Sequence, residues 1–168
     1  GSGTIRSSSE QTDVLSMTPT LTDRTVLVTG GAGFVGSHIT DALVADNDVR
    51  VLDDLSNGRR ENMPAGAELI EDDVSRAATL RRAVEDVDVV FHQAAMVSVP
   101  ESIERPLDCH RTNTDATARL LDAARRVDAR VVLASSAAVY GAPVSVPVAE
   151  DDSTDPAAPY GVSKLASD

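Results

Sequence analysis

Four glycines fall within the seven positions that follow the β-branched run Thr25–Thr29, in the segment Thr29-Gly30-Gly31-Ala32-Gly33-Phe34-Val35-Gly36. Such a density suits a strand that turns sharply into a helix and must leave its backbone open to close approach. The segment satisfies G-x-G-x-x-G through Gly31, Gly33 and Gly36, and G-x-x-G-x-x-G through Gly30, Gly33 and Gly36. The chemistry behind that spacing is a tight turn, access of a pyrophosphate to the backbone, and close packing of helix on strand. Phe34, Val35 and Gly36 open the helix, whose first N–H groups and positive dipole end face the phosphates. Residues 34–45 carry Val35, Ile39, Ala42 and Leu43 at helical spacing, and Asp48–Asp53 reads as the next strand. Asp53 closes that strand with a carboxylate able to accept from ribose hydroxyls and to repel a 2′-phosphate. The pattern predicts NAD rather than NADP, with Arg59 and Arg60 the features that leave NADP open.

Further apolar runs at Glu68–Glu71, 87–92 and 130–135 alternate with helix-like segments at 76–84 and 113–127. The last helix aligns Ala116, Leu120, Ala124 and Val127 in one stripe. Near-continuous apolar strands suit a sheet covered on both faces, so the expected class is α/β, a doubly wound parallel sheet of Rossmann type. Residues 1–22, rich in Ser and Thr and opening Gly-Ser-Gly, read as a flexible or vector-derived leader. Residues 23–168 read as one incomplete dinucleotide domain.

Charge excludes one class of partner. With 15 basic against 27 acidic residues, the net charge of −12 opposes general binding to nucleic-acid phosphates. No run of about 18 apolar residues exists to cross a membrane, and no secretory core is present, so a cytoplasmic protein is expected. The 14 Arg against one Lys, and 19 Asp against eight Glu, suit a surface adapted to high salt. A codon bias toward Arg, Ala, Asp and Val is the competing reading. Cys109 is the single cysteine, which excludes an internal disulfide, and His38, His92 and His110 lack ligand spacing, so no metal is expected.

Tyr160-Gly161-Val162-Ser163-Lys164 sets a phenol and an ammonium four residues apart, on one face of a helix. A tyrosine with a pKa of about 10 needs roughly 4 kcal/mol of differential stabilisation to act as a base near neutrality. A neighbouring lysine and a positive nicotinamide ring supply charge of the right sign. Lys164 is the only lysine in the chain and Tyr160 one of two tyrosines, which sets the pair apart from incidental surface residues.

These motifs continue in order as LDDLSNG at 52–58, EDDV at 71–74, HQAA at 92–95, SVPESIERP at 98–106, Thr112-Asn113 and SSAAVYG at 135–141. Together they resemble the extended short-chain dehydrogenase/reductases, in particular the NAD-dependent nucleotide-sugar epimerases of the UDP-glucose 4-epimerase type. The resemblance spans residues 25–164 and implies roles by position. Asp53, Asp54, Asn57 and Gly58 would form the adenosine-ribose loop, and Asp73 and Val74 would touch the adenine. Ala94 and Ala95 would border the nicotinamide, and Asn113 would support the site geometry. Ser136 would hydrogen-bond the reacting sugar oxygen beside the base Tyr160, and Lys164 would also hold the nicotinamide ribose. The related 4,6-dehydratases carry Asp-Glu after that serine; Ala137 and Ala138 stand here, which disfavours water elimination.

Nucleotide-sugar decarboxylases share most of these loops and remain the nearest enzymatic alternative. A non-catalytic NAD-binding module is the alternative from another class. Relatives continue beyond the position of Asp168 into a smaller sugar-gripping domain, so the chain reads as the cofactor and catalytic half of a UDP-sugar enzyme. The resemblance further implies a homodimer. Tyr140 is expected either to pack structurally or to lie near the sugar, Cys109 to be a small buried residue, and Glu150-Asp151-Asp152 to be a solvated loop.

Overall fold

The computed structural model describes residues 21–168, so all but the last two residues of the expected leader lie outside the described residues. Side chains along a strand point alternately to opposite faces. Val26 and Val28 of β1 (Thr25–Thr29) accordingly join Val49 and Val51 of β2 (Asp48–Asp53) on one face, where Ile39 and Leu43 of α1 (Phe34–Leu43) cover them. Leu27 and Leu52 point the other way. They pack with Val90 of β4 (Val89–His92), Leu80 of α2 (Ala77–Ala83) and Leu120 of α5 (Ala116–Arg126).

With β3 (Glu68–Glu71) and β5 (Arg130–Leu133), these strands form a five-stranded parallel sheet in the order β3-β2-β1-β4-β5. The chain leaves β1 toward β2 on one side and later returns to β4 on the other. That reversal opens a crevice at the carboxyl ends of β1 and β4, the place where doubly wound sheets bind ligands. Among the described residues no helix is long and apolar enough to cross a membrane.

The expected strands β1, β2 and β3 match residue for residue, while β4 and β5 are shorter. Val87 is withheld from β4 because its N–H bonds the Val84 carbonyl, and Asp88 turns its carboxylate onto the Thr25 N–H. The β4–β5 ladder ends at the pair His92 and Leu133.

The larger difference lies ahead of α5. A single helix over 113–127 is expected from the apolar stripe. Instead α3 (Val99–Glu104) and α4 (Pro106–His110) lead through a π-helical turn at Arg111–Asp115 into α5. Ser98 caps α3 by accepting from the Glu101 N–H, and Pro106, which lacks an N–H, starts α4. Ala116, Leu120 and Ala124 are buried as the stripe requires, whereas Val127 caps the end of the helix and is exposed. Short helices split by proline leave too few turns for a periodic signal. The Tyr-x-x-x-Lys segment forms α6 (Pro159–Leu165).

Candidate active site

The glycine turn divides its labour among three positions. Gly30 has φ +67°, and a Cβ there would lie 2.7 Å from the Ala94 nitrogen, so only glycine allows β1 and the end of β4 to meet. At Gly36 a Cβ would lie 2.1 Å from the Gly30 carbonyl oxygen, which seats the helix on the turn. Gly33 differs. A Cβ there would meet only the Gly30 carbonyl oxygen, at 3.3 Å, a tight contact that a shift of a few tenths of an ångström relieves, unlike the direct clashes at Gly30 and Gly36. Gly33 is also the N-cap of α1, makes no side-chain cap, and opens a first turn with no acidic residue. Free N–H groups beside an open glycine form a cradle for a phosphate. Phe34 is 81% exposed and lines the same space as Val35.

That space is a cleft of about 730 Å³ over the switch point. Gly30, Gly33, Phe34, Val35 and Gly36 form its floor, and Asp53, Asp54, Asn57 and Gly58 form the wall beyond β2. Asp73 and Val74 close one end; Ala94 and Ala95 lie at the end of β4, and Tyr160 and Lys164 of α6 stand opposite. The structure therefore gathers nearly all the sequence-expected residues around one cavity. Two stand apart from it. Asn113 is only 2% exposed and lies beneath the wall, while Ser136 sits just beyond the cleft's edge, where its neighbour Ser135 lines it. Tyr140 ends a 3₁₀ turn at Ala137–Tyr140 and does not line the cleft.

Asp53 is 8% exposed, and its two oxygens are engaged by backbone: Oδ2 accepts from Ala32 N–H at 2.9 Å and Oδ1 from Leu55 N–H at 2.8 Å. It clamps the glycine turn to the β2 loop, in which Leu55 adopts φ +57°. Each carboxylate oxygen has a second lone pair for a ribose hydroxyl. Further along the wall the Thr79 hydroxyl, more than any nearby charge, holds the Asp72 carboxyl below the usual carboxylate range.

The first turn of the Tyr160 helix is tied to α3 and braced by a bond of its own. The Tyr160 N–H donates to Ser102 Oγ at 3.1 Å, and its carbonyl accepts from Ser163 Oγ at 2.7 Å. Asn113 supports both the helix and the wall: Nδ2 donates to Ser163 Oγ at 3.0 Å and to the Met96 carbonyl at 3.0 Å, and Oδ1 accepts from Met96 N–H at 2.8 Å. A widened π-helical turn is a frequent feature of functional sites. Here it carries that asparagine.

Lys164, 7% exposed, donates from Nζ to the Ala134 carbonyl at 2.8 Å. Burial pushes its ammonium below the usual lysine range, against the opposing pull of Asp168. Ser136 Oγ accepts from Ala138 N–H at 3.2 Å, which leaves its hydrogen for another acceptor. Cys109 is buried against Asn113 and Ser163.

Sequence reasoning missed the ion-paired row of Glu101, Arg105, Asp108 and Arg111, which runs along α3 and α4 into the cleft wall. The i,i+4 pair Glu101–Arg105 was the available signal.

A doubly wound parallel sheet with a glycine cradle at its switch point, and a tyrosine–lysine helix across the crevice, defines the short-chain dehydrogenase/reductase class. The model of the NAD dependent epimerase/dehydratase family matches residues 26–168, and the chain belongs to that family. It is 49% identical over 154 residues to a UDP-glucose 4-epimerase of Azospirillum brasilense, covering 86% of this chain and 44% of that protein. It is 43% identical to a UDP-glucose 4-epimerase of Streptomyces lividans, covering 84% of this chain and 45% of that one.

Among solved structures, a UDP-N-acetylglucosamine 4-epimerase from Methanobrevibacter ruminantium in complex with UDP-N-acetylmuramic acid superposes with a TM-score of 0.84 at 39% identity. That match covers 88% of this chain and 49% of the other. A UDP-glucose 4-epimerase from Brucella ovis in complex with NAD gives 0.80 at 36% identity, covering 86% and 45%. The chain thus spans a little under half the length of the curated relatives it matches.

Proposed function

We propose that this chain is the NAD-binding and catalytic half of a nucleotide-sugar epimerase that inverts C4 of a UDP-sugar, with UDP-glucose and UDP-galactose as the pair. One observation carries the reading: Tyr160 and Lys164 line the same cleft as a glycine cradle, Gly30, Gly33 and Gly36, at the start of α1. The residues fit NAD. The first N–H groups of α1 would receive the pyrophosphate, Asp53 and Asn57 the adenosine ribose, and Asp73 and Val74 the adenine, with Ala94 and Ala95 beside the nicotinamide. When bound, NAD supplies a hydride acceptor that later gives the hydride back.

The chain's own residues handle the proton. Tyr160 would take the C4 hydroxyl proton of a sugar bound in the cleft and would return it to the same oxygen once the configuration is inverted, so no net proton is consumed in a turnover. Lys164 sets a poorly solvated ammonium one helical turn from Tyr160 in the same cleft and would hold the nicotinamide ribose. Ser136 has a hydroxyl hydrogen to give the sugar oxygen as charge builds on it. Ala137 and Ala138 have no titratable group with which to drive dehydration. We place the grip on the UDP-sugar in the length by which the relatives exceed this chain. We place a homodimer contact on α5 and α6, where Leu121 and Val162 are exposed.

The test is product analysis with the full-length protein. Incubation with UDP-galactose is expected to yield UDP-glucose, and Tyr160→Phe to abolish turnover while NAD affinity stays within about threefold, since the phenol's hydrogen bond to cofactor is a small part of binding. Release of carbon dioxide from a UDP-hexuronic acid would replace epimerase with decarboxylase. Tight NAD binding without turnover of either sugar would favour the non-catalytic module.

A further inference from the structure

Three elements meet on one buried histidine beside the cleft. His92 ends β4 and is 2% exposed. Its Nδ1 lies 2.6 Å from Thr29 Oγ1 at the end of β1, and its Nε2 lies 2.9 Å from Thr117 Oγ1 on α5. Both hydroxyls have a further partner. Thr29 Oγ1 accepts from Ala94 N–H at 3.2 Å, and Thr117 Oγ1 donates to the Asn113 carbonyl.

A hydroxyl has one hydrogen, a peptide N–H only donates, and a carbonyl only accepts. Thr117 spends its hydrogen on Asn113, so it must accept from His92, and Nε2 carries the ring hydrogen. Thr29 receives the Ala94 N–H, so its own hydrogen is left for the lone pair on Nδ1. Only the neutral Nε2–H tautomer satisfies every group. The hydrogen bonds then run in one direction, from the Ala94 N–H in the cleft wall, through Thr29, His92 and Thr117, to the Asn113 carbonyl. The Asn113 side chain continues to Ser163, and Ser163 to the carbonyl of Tyr160.

We infer that His92 is a positioning residue that sets the cofactor-side wall at Ala94 and the helix of Tyr160 in fixed relation, an inference that rests on reading the cleft as the NAD site. A doubly protonated ring would point a hydrogen at Thr29 and leave that hydroxyl's own hydrogen without an acceptor, loosening the link at its first joint. Burial, and after it the charge of Lys164 on α6, opposes that state and lowers the His92 pKa to about 4.

The test joins nitrogen NMR of the unaltered chain with NAD titration of His92→Phe and His92→Gln. The spectra are expected to show Nε2 protonated and Nδ1 bare throughout about pH 5 to about pH 8, the window in which an ordinary histidine titrates. His92→Phe is expected to weaken NAD binding roughly tenfold, the worth of one unmade buried hydrogen bond, and to shift the Tyr160 amide resonance. His92→Gln keeps a donor and an acceptor and is expected to recover most of that loss.

A proton on Nδ1, or a ring that titrates near 6.5, would overturn the inference, as would a folded His92→Phe with unchanged NAD affinity and an unmoved Tyr160 amide. If His92→Phe does not fold, the spectra of the unaltered chain decide. Failure of the unaltered chain to bind NAD would instead count against the cofactor site itself, and the tautomer measurement would still judge the hydrogen-bond chain.

Discussion

Replacing Asp53 with alanine separates two jobs that one carboxylate performs. In the folded protein it accepts from the Ala32 and Leu55 N–H groups, at 2.9 and 2.8 Å, before any ligand arrives. Hydrogen bonds to a charged acceptor contribute about 1.5–3 kcal/mol each. Ala32 is fully buried, so its N–H would be left without water or protein, whereas Leu55 is partly exposed and can be solvated. The expected loss is therefore nearer one full bond plus a fraction of the second, about 2–4 kcal/mol of unfolding free energy.

Asp53→Asn keeps one acceptor oxygen, and about half of that loss is expected. Urea unfolding without ligand reads the stability, and calorimetric titration reads NAD affinity. If Asp53→Ala lost NAD binding at undiminished stability, the carboxylate would be a ribose ligand alone and the clamp would be refuted. If stability fell and the remaining folded protein bound NAD normally, the ribose role would be refuted instead.

The glycines offer a matched pair. Gly33→Ala is expected to weaken NAD binding while costing less than about 1 kcal/mol of stability, but Gly36→Ala, whose Cβ would meet a carbonyl oxygen at 2.1 Å, is expected to cost several kcal/mol in the same urea assay. His92 gives a pH signature. Its folded pKa of about 4 lies below the ordinary 6.5, so the unfolded chain binds more protons between those values and stability rises with pH across that window. A few kcal/mol present above about pH 6.5 should fade toward pH 4, and His92→Gln should flatten the profile. Thermal melting in KCl checks the salt-adapted reading of a chain carrying a net charge of −12: the melting point is expected to climb into the molar range, and a flat or falling curve would leave codon bias as the reason for the composition.

Much of this architecture was legible because its signals are local. The glycine turn, the alternation of β-branched runs with helical spacing, and the carboxylate at the end of β2 each need only a few neighbouring residues to state their geometry. β1, β2 and β3 matched to the residue for that reason. The two central ones, β1 and β2, have apolar side chains covered on both faces, so nothing in their surroundings contradicts their own preference.

What only the tertiary structure decided depends on residues far apart in the chain. β4 and β5 end where their pairing partners end. Asn113, beyond its expected supporting place, links the backbone at Met96 to Ser163 because a widened helical turn carries it inward. His92 in sequence is one letter of a short motif; its tautomer follows from Thr29 and Thr117, which lie 63 and 25 residues away. Hydrogen-bond direction is a property of a closed set of donors and acceptors. A sequence names the members of that set, and only folding brings them together so that each bond constrains the next.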